Sequence, residues 1–593
     1  MESKWLRTDY CGEITEKYIG KEVIVNGWVK TIRDHGGVVF VDLRDIRGVV
    51  QVVFSPEVDK ELHEKSREIR DEYVLAVKGI VKKRPEESVN PNIKTGNVEI
   101  WATEFEILNV SETPPIPFEN PKVISEDKRL RYRYLDLRSD MMKNNIIKRH
   151  QITQVVRDYL NRNNFLEIET PMLIKSTPEG ARDFIVPSRL NKGKFYALPQ
   201  SPQLFKQILM VSGFDRYYQI ARCFRDEDLR ADRQPEFTQI DLEMSFVDMN
   251  TVMRTVEGMI KEVLLKVYGL EFNDPFPVLS YEEAMNRFGS DKPDIRFGME
   301  LVDITDIASD TEFKVFRDAV DNGGVIKCIV VERGDEISRS EIDALREWVI
   351  EFGAKGVAWF RVKNGDLESN LTKFFSEEVR KRIIQKTSAK EGSLILIVAD
   401  KWQVATNTLG QIRLRMANKL GLIDKNDLKF CWVVNFPLFE WNEEEERLDP
   451  LHHPFTAPVY EDIPLLDTDP LKVRAQSYDI ILNGTEIGGG SIRIHNQDLQ
   501  KKIFSLIGLK EEDINEKFGF LIEAFKYGAP PHGGLAIGLD RFVAILQCMD
   551  SIRDVIAFPK TQKALCLLSG APSFVEKKQL DELGITVEIE EEV

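Results

Sequence analysis

The residues that best combine phosphate and base chemistry lie together between positions 222 and 241. Two strand-like stretches, 217–224 and 236–246, enclose a charged segment that we predict to be a long hairpin loop. The guanidinium of Arg225 could bind a phosphate through a bidentate fork, a nearby carboxylate could accept from an adenine amino group, and Phe237 could stack on a base. A surface network of ion pairs would explain the charges but not the aromatic ring among them. The pattern therefore favours a nucleotide site.

A second group of chemistry-bearing residues lies on a predicted hairpin over residues 478–493. The dipeptide Asn483-Gly484 between two apolar runs predicts a two-residue turn that pairs Ile481 with Glu486. This register places Asp479 and Glu486 on one face of the hairpin as diagonal neighbours. Two facing carboxylates repel each other unless a cation lies between them, and their oxygen atoms suit Mg²⁺. The alternative is a protonated or solvated pair.

A third group is a glycine-spaced strand, 533–538, that leads into Asp540-Arg541 at the start of a predicted helix. Such a strand could aim the guanidinium of Arg541 at a polyphosphate, although this string alone is weak support. The adjacent His452 and His453 are more typical of structural histidines than of metal ligands. The six cysteines form no paired spacing, so the sequence predicts no zinc site.

The N-terminal residues that precede these groups have the pattern of a small β-barrel. Apolar residues alternate along five short runs, and a polar helical stretch separates the third run from the fourth. The runs are 22–29, 36–45, 48–55, 73–84 and 97–109, and the helix is 56–71. This order is typical of an OB-fold that binds oligonucleotides, and an unrelated barrel used for packing is the alternative.

Two further features could position the chemistry. Residues 143–163 have one apolar stripe at helical spacing and lead into an alternating stretch, 165–173, that contains Pro171. A long helix before an edge strand suits a dimer interface, and ordinary core packing is the alternative.

The basic segment 121–138, which interleaves tyrosines with arginines, is either a solvated face or an RNA contact. Residues from 291 to about 430 read as an inserted α+β domain without evident chemistry.

Length and composition limit the classes of protein to consider. A chain of 593 residues is too long for one hydrophobic core, so we expect several domains. The net charge of -17 excludes a generally basic nucleic-acid coat, so any RNA contact must be local. No apolar run reaches the length of about 18 residues that a membrane span needs. Scattered cysteines and a polar N-terminus predict a cytoplasmic protein in a reducing compartment.

Together these sequence segments resemble the three motifs of the class II aminoacyl-tRNA synthetases. The helix and the stretch with Pro171 resemble motif 1, residues 224–227 with the partner strand resemble motif 2, and 534–541 resemble motif 3. A closer resemblance, to the bacterial-type aspartyl-tRNA synthetases of subclass b, is carried by residues 200–206, 452–456 and 488–495. The resemblance covers nearly the whole chain.

The resemblance implies a multidomain α+β protein: an N-terminal OB-fold β-barrel, a class II antiparallel-sheet catalytic core and an inserted α+β domain. It assigns 1–110 to the anticodon-binding barrel, 111–138 to a hinge, 139–290 and 429–560 to the two parts of the core, 291–428 to the bacterial-type insertion and 561–593 to a C-terminal extension. It also implies a homodimer.

The implied reaction joins L-aspartate to ATP, with Mg²⁺, and then to the terminal ribose of tRNA-Asp. Arg225 and Arg541 would be catalytic, Arg225 holding the α-phosphate and the substrate α-carboxylate and Arg541 the γ-phosphate. Asp479 and Glu486 would hold the metal. The resemblance assigns ATP binding to Arg225, Asp226, Glu227, Gln234, Phe237, Glu486, Gly538, Leu539, Asp540 and Arg541.

Recognition of aspartate would need a cationic pocket, because aspartate and asparagine have nearly the same shape. By the resemblance, Lys206 and Arg493 face the side-chain carboxylate of the substrate, and His452 and His453 close the pocket. Glu179, Gln203 and Asp241 receive the ammonium group. The implied aspartate-binding residues are Glu179, Gln203, Lys206, Arg225, Asp241, His452, His453 and Arg493.

In the barrel, the resemblance makes Phe40 a stacking platform for an anticodon base, with Arg33 and Gln51 beside it. His35 occupies the position at which nondiscriminating bacterial members carry histidine, so tRNA-Asn is expected as a second acceptor. The alternatives are an asparaginyl-tRNA synthetase, a synthetase-like RNA-binding protein without catalysis, and a free amino-acid ligase of the same fold.

Overall fold

The computed structural model describes residues 3–117, 123–177, 181–308 and 310–588. The chain divides into two units, one comprising Met1–Asn144 with Cys566–Ala571 and the other Asn145–Leu565 with Pro572–Val593. Within the described ranges, no helix is both long and apolar enough to cross a membrane.

The first unit contains the expected closed five-stranded barrel. Its elements are β1 (Glu22–His35), β2 (Val38–Asp45), β3 (Gly48–Phe54), α1 (Lys60–Ser66), β4 (Val74–Lys83) and β5 (Val98–Asn109). The strands follow the order β1-β2-β3-β5-β4, with β3 and β5 parallel and the other described pairs antiparallel. Alternate residues such as Val25, Val41 and Val52 are fully buried inside it. The predicted OB-fold is confirmed.

The predicted hinge belongs to this same unit. Its residues form two short helices, α2 (Glu126–Arg131) and α3 (Arg133–Asp136), which precede the long helix α4 (Asp140–Arg162). Part of its positive charge is balanced locally, because Arg129 and Arg133 both contact the buried carboxylate of Asp136. Arg138 contacts Glu72 at 2.8 Å.

The second unit carries the remaining strands. In chain order they are β6 (Leu166–Glu167), β7 (Ile185–Pro187), β8 (Phe195–Ala197), β9 (Arg216–Phe224), β10 (Glu236–Ser245), β11 (Val278–Ser280), β12 (Val302–Asp303), β13 (Val325–Val331), β14 (Ala358–Lys363), β15 (Asp366–Glu368), β16 (Leu394–Asp400), β17 (Phe430–Val434), β18 (Phe439–Asn442), β19 (Arg447–Pro450), β20 (Ser477–Leu482), β21 (Thr485–Ile492) and β22 (His532–Gly538).

The α-helices of this unit follow in chain order. They are α5 (Gln203–Val211), α6 (Met249–Val263), α7 (Tyr281–Phe288), α8 (Thr305–Ala308), α9 (Lys314–Asp321), α10 (Arg339–Trp348), α11 (Glu377–Thr387), α12 (Trp402–Lys419), α13 (Gln497–Leu506), α14 (Glu511–Phe525), α15 (Leu539–Leu546) and α16 (Lys577–Leu583).

An eight-stranded sheet forms the centre of the second unit, with the order β11-β17-β20-β21-β22-β10-β9-β6. The six central strands are antiparallel, whereas β11 and β6 join its two edges in parallel. The predicted strand over 165–173 was wrong in its extent, because only Leu166–Glu167 pairs with the sheet. Pro171, which has no N–H group to donate, lies beyond that short edge strand.

The inserted domain has its own five-stranded sheet, in the order β12-β13-β16-β14-β15. Helix α12 packs against β13 and β16 on one side and contacts α7 as well. Since α7 directly follows the central-sheet strand β11, α12 lies beside the connection between the two sheets. Separate apolar clusters fill the core of each sheet.

Candidate active site

A cavity of about 710 Å³ lies over the central sheet of the second unit. It collects side chains that are up to 351 positions apart in the sequence, from Ser201 to Ile552, since the charged hairpin, β20–β22 and α5 all open onto it. Predicted site residues on its wall are Gln203, Lys206, Arg225, Glu227, Gln234, Phe237, Asp241, His452, His453, Asp479, Glu486, Arg493, Gly538, Asp540 and Arg541. Glu179 lies outside the described residues.

Lys206 and Arg493 point into the same part of this cavity and share a counter-ion. Nζ of Lys206 lies 2.7 Å from Oδ1 of Asp241 and 3.2 Å from Oε2 of Glu243. Arg493 donates from Nε to Oε1 of Glu243 at 2.9 Å and from Nη2 to Oε2 at 3.1 Å. All four side chains are nearly inaccessible to solvent. Two cations and two carboxylates therefore form one buried cluster.

The pKa values of this cluster reflect burial and pairing. Burial opposes ionisation of Glu243, but Arg493 and Lys206 outweigh it and lower its pKa to about 2. Burial raises the pKa of Asp241, against the opposing effect of the Lys206 ammonium. Glu243 is a residue that the sequence interpretation missed. The signal was present, because a strand places residues i and i+2 on one face and Glu243 follows Asp241 at that spacing.

The two adjacent histidines have different partners. Nε2 of His453 lies 2.7 Å from Nη1 of Arg493. A guanidinium only donates hydrogen bonds, so Nε2 accepts from Arg493. Burial, reinforced by Arg493, lowers the pKa of His453 well below its usual value and keeps the ring neutral. His452 instead approaches Asp479, with Nε2 and Oδ1 3.5 Å apart.

Two arginines and one aromatic ring, Arg225, Arg541 and Phe237, also line the cavity. The guanidinium of Arg225 lies 5.2 Å from the ring centre of Phe237, a cation–π distance. Arg541 donates from Nη1 to the backbone carbonyl of Glu486 at 2.7 Å and from Nη2 to Asp232 at 3.1 Å. Within the described chain, the buried Nε atoms of Arg225 and Arg541 have no hydrogen-bond partner. These donors are free to bind an anion.

Four of the predicted ATP-binding residues make contacts within the protein. Asp226 lies 3.7 Å from Arg182, and Leu539 is buried in the core under the sheet. The amide of Gln234 bonds the backbone of Lys560 through both of its polar atoms, at 2.7 Å and 3.0 Å. Asp540 accepts from Arg149 and from the backbone N–H of Thr238. The contact partners of these four residues lie far away in the sequence. The motif sequences therefore could not show that these contacts form.

The two carboxylates proposed as metal ligands lie on one face of the hairpin, as predicted. Ile481 pairs with Glu486 as expected, and the turn residues Asn483 and Gly484 both have positive φ. A β-bulge next to Ile481 then shifts the register, so that Asp479 lies opposite Gly489. A side chain at Gly489 would meet Oδ1 of Asp479 at 2.5 Å and Oε1 of Glu486 at 3.6 Å. Only glycine leaves this space open. Burial, followed by the nearby Glu486 charge, raises the pKa of Asp479 against the effect of His452.

This geometry fits Mg²⁺ better than a fully protein-ligated metal. Among the described residues, no group of three or more His, Cys, Asp or Glu could hold a metal ion. Mg²⁺ is commonly held by one or two carboxylates together with water and substrate phosphates, so two carboxylates are a sufficient protein contribution.

In the barrel, three of the predicted anticodon-binding residues lie side by side. Arg33 is opposite Phe40 in the pairing of β1 with β2, and Gln51 on β3 is opposite Asp42. Arg33 contacts Asp42 at 3.0 Å. Gln51 is buried and donates to Glu99 at 2.9 Å, so part of its amide is used within the barrel.

His35 is exposed at the tip of the β1–β2 hairpin. It directly precedes Gly36 and Gly37, which both adopt positive φ to make the turn. Phe40 is half-buried on the same hairpin. An exposed histidine and an accessible ring are therefore presented from one edge of the barrel.

Comparison with known proteins decides the family. The family of tRNA synthetases class II (D, K and N) matches residues 125–562, and the OB-fold nucleic acid binding domain matches residues 23–108. The chain belongs to the class II tRNA synthetases. It is 58% identical, over 98% of both chains, to the aspartate–tRNA(Asp/Asn) ligase of Caldanaerobacter subterraneus. It is also 55% identical, over 98% of its own length and 99% of the relative's, to the aspartate–tRNA ligase of Macrococcus caseolyticus.

Solved structures of other synthetases have a similar fold. Asparaginyl-tRNA synthetase from Pyrococcus horikoshii, complexed with asparaginyl-adenylate, superposes with a TM-score of 0.59. The two chains are 21% identical, and the match covers 94% of this synthetase and 98% of the archaeal one. At this identity the likeness establishes the class II architecture alone.

Proposed function

We propose that this synthetase is an aspartate–tRNA ligase, which activates L-aspartate with ATP and transfers it to the 3′ end of tRNA-Asp. The observation that carries the proposal is the shared cavity position of Lys206 and Arg493. Both cations are buried and face the open space. Relatives of the same length that are named aspartate–tRNA ligases support it.

The buried cluster supplies a physical reason to prefer aspartate over asparagine. Lys206 and Arg493 are balanced by Asp241 and Glu243, which hold them in place rather than leaving them to move toward a ligand. A substrate carboxylate adds charge-assisted hydrogen bonds of about 1.5–3 kcal/mol each. Two such bonds give about 3–6 kcal/mol, or on the order of 10²–10⁴-fold preference over the isosteric amide. This reasoning disfavours an asparaginyl-tRNA synthetase.

The nucleotide would occupy the arginine-lined end of the cavity. Phe237 would stack on the adenine, Glu227 would accept from its amino group, and Arg225 would contact the α-phosphate. The orphaned buried Nε of Arg225 supports this assignment, because an anion would satisfy it. Asp479 and Glu486 would hold Mg²⁺, which would neutralise phosphate charge when bound.

The first step balances as a displacement at phosphorus. An oxygen of the aspartate α-carboxylate forms a bond to the α-phosphorus of ATP, and the bond to the bridging oxygen breaks as pyrophosphate leaves. Arg225 would orient the two reacting groups and stabilise the charge that develops between them. In the second step the terminal ribose hydroxyl of tRNA attacks the carbonyl carbon, and AMP leaves. Neither step needs a covalent enzyme intermediate.

The barrel would bind the anticodon, with Phe40 as the stacking platform and Arg33 and Gln51 beside it. We also propose tRNA-Asn as a second acceptor. His35 at the hairpin tip and the name aspartate–tRNA(Asp/Asn) ligase of several relatives support this. A cytoplasmic homodimer is proposed from the resemblance.

The test is aminoacylation with purified enzyme, radiolabelled aspartate and ATP, using tRNA-Asp and tRNA-Asn separately. We expect aspartate to be attached to both. Failure with tRNA-Asn alone would remove only the second acceptor. Failure with both tRNAs, together with the absence of aspartate-dependent pyrophosphate exchange, would contradict the proposed function.

A further inference from the structure

The connection between the central sheet and the inserted domain reaches into the active-site cavity. Helix α7 ends at Phe288, and the segment 289–299 then runs toward β12 of the inserted sheet. Lys292 in this segment lines the cavity. Its ammonium lies 3.2 Å from Oε2 of Glu486, one of the two carboxylates over Gly489.

Two contacts with helix α12 of the inserted domain hold this segment in place. Arg413 is buried and donates hydrogen bonds to four of the segment's backbone carbonyls, at residues 294, 297, 298 and 299. Its guanidinium also lies 4.0 Å from the ring centre of Phe297. At the start of the segment, the backbone of Gly289 packs so closely on Gly410 that a Cβ atom on either would clash with the other.

The far side of the segment contacts the hairpin turn that carries the carboxylates. A Cβ atom on Gly484 would lie 2.9 Å from Cβ of Asp294, so the turn and the segment are in direct contact. Asp294 is itself buried and paired with Arg296. The position of Lys292 is therefore fixed from both sides, by α12 and by the turn.

The surroundings of Lys292 suit a side chain that binds phosphate better than one that stabilises the fold through an ion pair. Its side chain is 44% exposed and opens onto the cavity, and an ion pair at that exposure contributes little to stability. Arg541 approaches Glu486 through its backbone carbonyl while Lys292 approaches its carboxylate. Two cations thus converge on one residue of the cavity wall.

We propose that Lys292 binds the β- and γ-phosphates of ATP, the part that leaves as pyrophosphate, and that Arg413 is the positioning residue through which the inserted domain holds it. This inference rests on the proposed function. An ammonium acts as a point charge toward phosphate and can move from Glu486 to a phosphate oxygen without rearranging the backbone. The inserted domain then contributes to nucleotide binding through this segment.

The test compares the binding of ATP, inorganic pyrophosphate and AMP by calorimetry in the presence of Mg²⁺. AMP lacks the phosphates that Lys292 would contact. Lys292→Met is expected to weaken ATP and pyrophosphate binding about tenfold or more while AMP affinity stays within about twofold. Lys292→Arg should restore most of the ATP affinity. Arg413→Lys should lower the ratio of ATP to AMP affinity in the same direction, by a smaller factor.

Lys314→Met, which removes an exposed lysine of the inserted domain that does not line the cavity, is the matched control and should leave all three affinities unchanged. Equal weakening of ATP and AMP in Lys292→Met, or no weakening of either, would overturn the inference while leaving the proposed function intact. A wild-type enzyme that binds neither ATP nor pyrophosphate would overturn both.

Discussion

Arg493 donates two hydrogen bonds to the carboxylate of Glu243, at 2.9 Å and 3.1 Å, where neither side chain is accessible to solvent. The same carboxylate lies 3.2 Å from the ammonium of Lys206. One acidic residue that touches no substrate in the proposed function thus fixes both of the cations that would select aspartate.

Replacing Glu243 by glutamine should destabilise the second unit strongly. The change leaves Arg493 buried without its ionic partner, and breaking a buried pair on one side costs about 3–5 kcal/mol. Thermal unfolding followed by circular dichroism should show a clearly lower transition. Glu443→Gln, on an exposed turn, should leave the transition unchanged. A Glu243→Gln variant as stable as the wild type would contradict the assigned pairing.

The same pair predicts a pH dependence. The pKa of Glu243 falls from the ordinary 4.5 to about 2 in the folded protein. A lowered folded-state pKa gives stability that is fully present above the unfolded value and is lost as the pH falls through the folded one. The stability difference between wild type and Glu243→Gln should therefore be constant above about pH 5 and shrink between about pH 4.5 and 2. Unfolding measured across this range checks it.

The fold of the barrel and the strands of the catalytic hairpins could be read from local patterns. Alternation gave β2, β3 and β5 to within two residues, and the Asn483-Gly484 turn gave the pairing of Ile481 with Glu486 but not the β-bulge that shifts the register beyond it. These features depend on neighbours along the chain. The short edge strand at Leu166–Glu167 was over-extended because alternation does not report whether a partner strand continues.

The site residues that lie within short sequence motifs could be predicted, whereas contacts between distant parts of the chain could not. Lys292 is 194 positions from Glu486, and Gln234 is 326 positions from Lys560, so no spacing rule connects them. Only tertiary structure assigns these partners. Glu243 is different: it was missed, although its i+2 relation to Asp241 could have identified it from the sequence alone.

Arg493→Leu should abolish aspartate activation while ATP binding survives. The substitution removes one of the two cations proposed for the substrate carboxylate and leaves Arg225, Phe237 and Arg541, which are proposed for ATP, unchanged. Aspartate-dependent pyrophosphate exchange should fall by at least about 100-fold, and calorimetry should give an ATP affinity close to that of the wild type. Near-normal exchange would refute the assignment.

Asp479→Asn should raise the Mg²⁺ concentration that ATP binding requires. The amide keeps the shape of the side chain but removes one of the two negative charges over Gly489. Titrating Mg²⁺ into the enzyme with ATP, and monitoring bound nucleotide, would report the shift directly. Asp498→Asn, on the exposed start of α13, is the control. An unchanged Mg²⁺ midpoint in Asp479→Asn would argue against the metal assignment.

Phe40→Ala should weaken tRNA binding without affecting amino-acid activation. Loss of one stacked base costs about 1–3 kcal/mol, or roughly a 5- to 150-fold increase in the Kd for tRNA. Pyrophosphate exchange without tRNA should be unchanged because the ring is in the other unit of the chain. Phe574→Ala, at a ring that is 93% exposed, should alter neither property. Unchanged tRNA affinity in Phe40→Ala would remove the proposed platform.

The most direct test of the central claim is the ratio of kcat/KM for aspartate to that for asparagine in ATP–pyrophosphate exchange by the wild-type enzyme. If Lys206 and Arg493 select the substrate carboxylate, aspartate should be preferred by on the order of 10²–10⁴-fold. A ratio near one, or a preference for asparagine, would contradict the account.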